Sequence, residues 1–274
     1  MSAYPDIDRM ALVMRHKILD IAHHCNQSAH LGGGLSMVEI MATLYARVLR
    51  YDRNDPHWAQ RDRFILSKGH GVLGYFPALL AAGLIDEATF NTFKTNESDL
   101  IAHPVMNLDL GIESSNGSLG QGLSMAVGIA LAAKKKRESF RAFVLLGDGE
   151  CNEGSVWEAF MAAAQLRLDN LAVVIDYNKL QSDGDSTQII DFGDLAARLR
   201  AFGWDVREVD GHNVDQIVPA FETAPATGMP LAVVAHTVKG KGVSFMENNN
   251  EWHHNRLTRA NYELALAELG ALVE

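Results

Sequence analysis

Two runs of consecutive apolar residues limit what this chain can fold into: Phe143-Val144-Leu145-Leu146 and Ala172-Val173-Val174-Ile175. Neither alternates with polar residues. A strand reads this way when helices cover both faces of its sheet, as in parallel sheets. Short apolar runs recur at 64–67, 205–209 and 231–236, and helical stretches lie near 71–82, 119–136, 153–166, 194–202 and 214–223. Strands and helices in alternation predict an α/β fold: a doubly wound, mainly parallel sheet with helices on both faces. Ahead of it, residues 6–25 and 36–49 have helical periodicity, with a glycine-rich loop, His30-Leu31-Gly32-Gly33-Gly34, between them. Ser36, followed three residues later by Glu39, fits a capping box for the second helix. Residues 258–272 read as a closing amphipathic helix. No internal repeat or low-complexity linker interrupts the chain, so residues 1–274 are expected to form a single domain with a helical N-terminal segment, 6–49.

Composition narrows the function. Lys plus Arg number 24 against 34 Asp plus Glu, a formal charge of −10. An acidic chain has no electrostatic reason to bind nucleic acid or an anionic membrane. The one basic run, Lys134-Lys135-Lys136-Arg137, falls at the end of an expected helix, where cations complement the helix dipole. Two cysteines, Cys25 and Cys151, make no disulfide framework and fit a reducing compartment. The first residues lack the basic and apolar regions of a signal peptide, and no apolar run reaches the roughly 18 residues of a membrane span. A soluble, cytoplasmic protein is expected.

In sheets of this kind ligands bind at the carboxyl ends of the strands. The strand at 142–146 ends in Gly147-Asp148-Gly149-Glu150-Cys151-Asn152-Glu153-Gly154. Glycine there permits close approach of a ligand, and a helix starting near Glu153 offers free N–H groups to an anionic oxygen. A diphosphate beside an acidic residue needs a metal ion between them, and Mg²⁺ accepts one or two protein oxygens alongside phosphate oxygens. The next strand ends in Asp176-Tyr177-Asn178-Lys179-Leu180, which places a second oxygen donor, Asn178, about one βαβ unit after Asp148. A lone Gly-Asp-Gly is by itself a turn, and a lone Asn a turn or cap. The pair, at the ends of consecutive buried strands, is harder to dismiss.

This pattern resembles the thiamine-diphosphate motif, which begins Gly-Asp-Gly and ends in asparagine after about thirty residues. The resemblance implies Asp148, Asn178 and the carbonyl of Leu180 as metal ligands, with Gly149 close to the diphosphate. Tyr177 stands where many relatives carry a first asparagine. Ser67-Lys68-Gly69-His70-Gly71 and Ser115-Asn116-Gly117-Ser118-Leu119-Gly120-Gln121-Gly122 are similar to segments of the transketolase family. By that resemblance His70 touches the diphosphate, and the loop with Gly117, Ser118 and Leu119 cradles the cofactor. His30 and His103, in Ala102-His103-Pro104, match histidines that contact donor-sugar hydroxyls; the family usually has His-Pro-Gly where this chain has His30-Leu31-Gly32. The segment His236–Val243 followed by Trp252-His253 resembles one carrying a further histidine near the diphosphate and substrate, aligned to His253, with His254 the near alternative. Glu153 matches an acidic residue near the cofactor at a subunit interface. Catalytic contacts are thus expected from His30, His103 and His253. The cofactors expected are thiamine diphosphate and Mg²⁺, or another divalent cation such as Ca²⁺.

The resemblance covers nearly the whole chain but only the first portion of a full-length transketolase. The pyrimidine-binding domain, with its glutamate on the aminopyrimidine ring, has no counterpart here, nor have the arginines that grip sugar phosphate. The resemblance therefore implies a partner subunit carrying those domains, in a two-plus-two heterotetramer. Together they would transfer a two-carbon ketol unit from a ketose phosphate to an aldose phosphate, in pentose-phosphate exchange or a specialised carbohydrate catabolism. The alternatives are an alpha-type subunit of a 2-oxo acid dehydrogenase and a non-catalytic cofactor-binding module.

Overall fold

The computed structural model describes residues 2–271. Helix α1 (Pro5–His24) begins with proline, has Asp6 and Asp8 in its first turn and His23 and His24 in its last, an arrangement that suits both the free N–H groups and the dipole. Its residues Ile7, Ala11, Met14 and Ile18 form one buried stripe. A two-residue strand, β1 (Ser28–Ala29), leads into α2 (Leu31–Leu35) and α3 (Val38–Thr43), which continues as a π-helical turn, Leu44–Val48.

Two expectations fail in this segment. The glycine-rich stretch is a short buried helix, α2, in place of the expected loop. Ser36 does not cap the following helix: it ends α2, its hydroxyl bonds Asp176 (2.6 Å) and the Gly33 carbonyl (3.2 Å), and Glu39 pairs with Arg15 and His212. Met37 holds the N-cap position of α3 without a side-chain bond. Contacts from distant elements outcompete the local capping pattern.

The chain then runs through β2 (Arg63–Leu66), α4 (Val72–Ala81), α5 (Glu87–Phe90), α6 (Gly122–Lys136), β3 (Ala142–Gly147), α7 (Gly154–Gln165) and β4 (Leu171–Tyr177). A small hairpin, β5 (Leu180–Gln181) with β6 (Gly184–Asp185), precedes α8 (Ser186–Ile189), α9 (Leu195–Ala201), β7 (Asp205–Asp210), α10 (Val214–Glu222) and β8 (Leu231–His236). Strand β9 (Asn255–Arg256) pairs back onto β1, and α11 (Arg259–Ala271) closes the described chain. The last position expected in that helix, 272, lies outside the described residues. Lys134–Lys136 occupy the final turn of α6, where Lys134 pairs with Asp169 at 2.7 Å.

Five strands form a parallel sheet in the order β2-β3-β4-β8-β7. Side chains alternate between its two covered faces. Phe143, Leu145, Val174 and Val233 face α1, α3, α4 and α10, whereas Val144, Leu146, Val173 and Val234 face α6, α7 and α9. The register aligns Gly147 with Asp176, and Asp176 with Ala235. The carboxyl ends of β3, β4 and β8 therefore finish nearly level, β2 ends two residues earlier, and the loops that follow converge.

Candidate functional site

Those loops enclose a cavity of about 240 Å³. Each loop leaves a strand whose core residues cannot shift without opening the sheet, so the polar residues just past the strand ends are held on a rigid base. The loop after β2 brings Lys68 and His70, that after β3 Asp148, Gly149 and Glu150, that after β4 Asn178, Leu180 and Gln181, and that after β8 Lys239. His30, His103, Gly117, Leu119 and His253 line it as well. Of the residues singled out from sequence, Ser118 and Glu153 do not line the cavity; both are exposed. Glu153 packs beside Gly120, where an added Cβ would come within 2.6 Å of the Glu153 Cβ.

Three buried carboxylates have distinct surroundings. Asp176 accepts from Lys68, Ser36, Thr237 and Asn178. Burial acts to raise its pKa, but the Lys68 ammonium and these donors hold it below the usual range. Asp148 accepts only from the Ser186 hydroxyl (2.8 Å) among side chains, and burial, with Asp176 nearby, pushes its pKa up to about 6. Glu150 takes Ser67 Oγ and the Gly120 and Gly147 N–H groups, which ties together three of the loops around the cavity.

The histidines form a cluster. The His30 ring lies 5.2 Å from His70, 6.2 Å from His103, 5.3 Å from His253 and 4.5 Å from His254, centroid to centroid. Burial and mutual repulsion lower His30 to about 3 and His253 to about 4, so both rings are neutral near pH 7. Lys239 Nζ donates to His253 Nδ1 (2.8 Å), which leaves the His253 proton on Nε2. His254 does not line the cavity but packs against His30. Outside the cluster, His23 stacks on Tyr262 and His57 pairs with Asp109.

Lys239 is the residue that sequence reasoning missed with most consequence. It is 2 % exposed and forms no ion pair among the described residues; its ammonium donates to the carbonyls of Leu180 (3.1 Å) and Gln181 (3.2 Å) and to Asn250. Burial lowers its pKa to about 8. Asp148 and Asp176 lie near enough to act on its charge, but its hydrogen-bond partners are all neutral, an arrangement that suits an added anion. Gln181 adds a second unfilled capacity: its buried Nε2 has no hydrogen-bond partner. Lys68 and Lys239 both stand in the segments that match the family, beside histidines that draw more notice. A lysine just after a fully buried strand was the available signal.

An anionic cofactor and a metal fit these groups. Lys239 and Gln181 supply a charge and a donor, and Gly149 leaves the space a Cβ would fill only 2.7 Å from the Gln181 Cγ. Asp148, the Asn178 amide oxygen and the Leu180 carbonyl offer one charge and two neutral oxygens. No group of three or more His, Cys, Asp or Glu residues able to hold a metal occurs among the described residues. Such a sparse oxygen set suits Mg²⁺ completing its shell with phosphate oxygens. Cys151 is buried with its thiol pKa pushed well up by burial, the state of an inert loop residue.

A family model described as "Transketolase, thiamine diphosphate binding domain" matches residues 8–272. The chain is 42% identical over 267 residues to an apulose-4-phosphate transketolase subunit from Actinobacillus succinogenes, covering 97% of each chain. It is 42% identical over 241 residues to the 6-deoxy-6-sulfo-D-fructose transketolase subunit of a Clostridium species, covering 88% of each. The solved transketolase of Campylobacter jejuni superposes with a TM-score of 0.89 at 28% identity; the match covers 96% of this chain but only 42% of that one.

Proposed function

The chain belongs to the transketolase family, and from that premise we propose that it is the cofactor-anchoring subunit of a two-chain transketolase. It binds thiamine diphosphate and Mg²⁺, and with a partner subunit transfers a two-carbon ketol unit from a ketose phosphate to an aldose phosphate. The observation that carries the cofactor assignment is Lys239, a buried cation whose hydrogen-bond partners are all neutral, facing a cavity beside Asp148 and Asn178. Bound there, thiamine diphosphate supplies the electron sink for breaking and making a carbon–carbon bond. Asp148, Asn178 and the Leu180 carbonyl hold the metal; Lys239, Gln181, Gly149 and His70 face the diphosphate; Gly117 and Leu119 lie against the rings. His30, His103 and His253, kept neutral by burial, present hydrogen-bonding nitrogens to sugar hydroxyls. Ser118 and Glu153, exposed outside the cavity, face the partner.

A partner is part of the proposal for a chemical reason. The cofactor's pyrimidine needs a carboxyl group opposite the diphosphate end. Glu150 is occupied by Ser67, Gly120 and Gly147, and Glu153 and Glu158 are exposed outside the cavity. Relatives of the same length are named as subunits, which supports a partner that carries the remaining domains, in a two-plus-two heterotetramer. The family match disfavours the 2-oxo acid dehydrogenase reading. The two free cysteines suit a cytoplasmic setting, and among the described residues no helix is long and apolar enough to cross a membrane.

The test is to purify the tagged chain alone and with the subunit that co-purifies with it. Each preparation is assayed with thiamine diphosphate, Mg²⁺, a ketose phosphate donor and an aldose phosphate acceptor. The expected result is negligible ketol transfer by the chain alone and full transfer by the complex. Full activity from the chain alone overturns the partner requirement; a complex that binds the cofactor but transfers nothing favours a non-catalytic module.

A further inference from the structure

Outside the cavity lining, three side chains from separate elements form a buried line that ends on the backbone beside Lys239. Arg15 of α1 pairs with Glu39 of α3 (2.5 Å), and the other Glu39 oxygen lies 2.9 Å from Nδ1 of His212, just past the end of β7. Arg15 and Glu39 are 7 % and 8 % exposed. The line ends on backbone: the Val238 N–H donates to His212 Nε2 (2.8 Å), and Arg15 Nε donates to the Lys241 carbonyl (3.2 Å).

This geometry sets the state of the imidazole. An N–H can be received only by an unprotonated nitrogen, so Nε2 carries the lone pair and Nδ1 the proton, which it donates to Glu39. Glu39 stays ionised: burial opposes this, but Arg15 and the His212 bond bring its pKa down to about 2. The ring is therefore neutral and of one tautomer, and it grips the loop from Thr237 to Lys241 at Val238 while Arg15 grips it at Lys241. Between those two points Lys239 enters the cavity and the Gly240 N–H donates to the Gly32 carbonyl (3.0 Å), two residues after His30; Thr237, one residue before Val238, bonds Asp176.

We propose that His212, oriented by Glu39 and Arg15, is a positioning residue that fixes the Thr237–Lys241 loop and thereby holds Lys239 where an anionic cofactor meets it. The inference rests on the reading of the cavity as the diphosphate site. Among the described residues no other group accepts the Val238 N–H, so without His212 that N–H loses its acceptor and the loop loses the bond next to Lys239.

Two variants and two measurements on the full chain test this. His212→Ala removes the acceptor; His212→Gln keeps an oxygen able to take the Val238 N–H. Amide exchange read on the peptide containing Val238 should quicken by about tenfold or more in the alanine variant and stay slow in the glutamine variant, with β3 and β4 peptides unchanged in both. Affinity for thiamine diphosphate with Mg²⁺, measured in the complex with the partner subunit, should fall about tenfold with alanine and recover with glutamine. Turnover at saturating cofactor should stay near wild type. Unchanged Val238 exchange in the alanine variant overturns the proposal. So does a well-folded glutamine variant as defective as alanine, and that comparison with wild type remains available if the alanine variant does not fold. Failure of the wild-type complex to bind thiamine diphosphate would instead overturn the functional reading and leave the exchange result standing on its own.

Discussion

Asp148 and Asp176 are neighbouring buried carboxylates pushed in opposite directions. Asp176 sits against the Lys68 ammonium and is held below the usual carboxylate range, whereas Asp148 has no cation bonded to it and rises to about 6. That contrast separates a structural anion, which already has its counter-charge, from the carboxylate proposed as the metal ligand, which has no bonded cation. Asp148→Ala should abolish Mg²⁺-dependent binding of thiamine diphosphate to the assembled complex, because it removes the one charged protein ligand in the proposed set. Asn178→Ala should weaken binding less, since water can replace a neutral oxygen. Calorimetric titration checks both, and cofactor affinity unchanged in Asp148→Ala would remove the metal assignment. The structure adds Lys239 and Gln181 to this residue-level picture. Neither is distinctive in sequence, because a lysine or glutamine after a strand is ordinarily a solvated loop residue. Only the convergence of the β4 and β8 loops buries them.

Among the elements, α2 departs furthest from what its sequence indicates. Three consecutive glycines are poor helix formers and read as a flexible loop. Here they serve close packing. A Cβ on Gly34 would lie 2.8 Å from the Leu73 Cβ and 3.1 Å from the Gly74 nitrogen, so α2 and α4 approach nearer than side chains allow. Gly128, in the exposed middle of α6, is the opposite case, for a Cβ there meets nothing within 4 Å. Gly34→Ala should therefore destabilise the chain by about 1–3 kcal/mol through overpacking. Gly128→Ala should stabilise it by about 0.5–1 kcal/mol through helix propensity. Urea denaturation of the two variants decides the matter, and equal effects in the same direction would refute the packing role of α2.

The whole molecule should carry a pH signature from its histidine cluster. His30 and His253 have folded pKa values near 3 and 4, and His70 and His103 are also lowered, all with burial as the largest cause. Between about pH 4 and the unperturbed histidine value near 6.5, the unfolded chain binds protons that the folded chain refuses, so stability falls as pH falls through that window. Asp148 opposes this, since its raised pKa favours the folded state at low pH and that contribution is lost as pH rises through about 6. Glu150, also raised by burial, acts in the same sense as Asp148, and four histidines against these two carboxylates set the net direction. The thermal midpoint of the chain should rise from pH 4.5 to 7, and His30→Asn should flatten that rise; a profile that falls over the interval would contradict the buried neutral cluster. The sequence by itself determined the sheet, its covering helices and the motif positions Asp148, Asn178, His70 and Gly117. Burial pattern is a local property: the unbroken apolar runs at 143–146, 172–175 and 231–235 fit a parallel sheet with both faces covered, and ligand chemistry then falls at the strand ends, whereas the strand at Asp205–Asp210 is mixed in character and lies at the sheet edge. Tertiary structure alone decided which strand-end residues face the cavity and which support it. The level finish of β3, β4 and β8 buries Lys239 and Asp176, and packing against α4 turns a glycine loop into a helix. The Arg15–Glu39–His212 line joins α1, α3 and the end of β7, elements far apart along the chain. Contacts of that kind depend on the register of the whole sheet, and no local spacing encodes them.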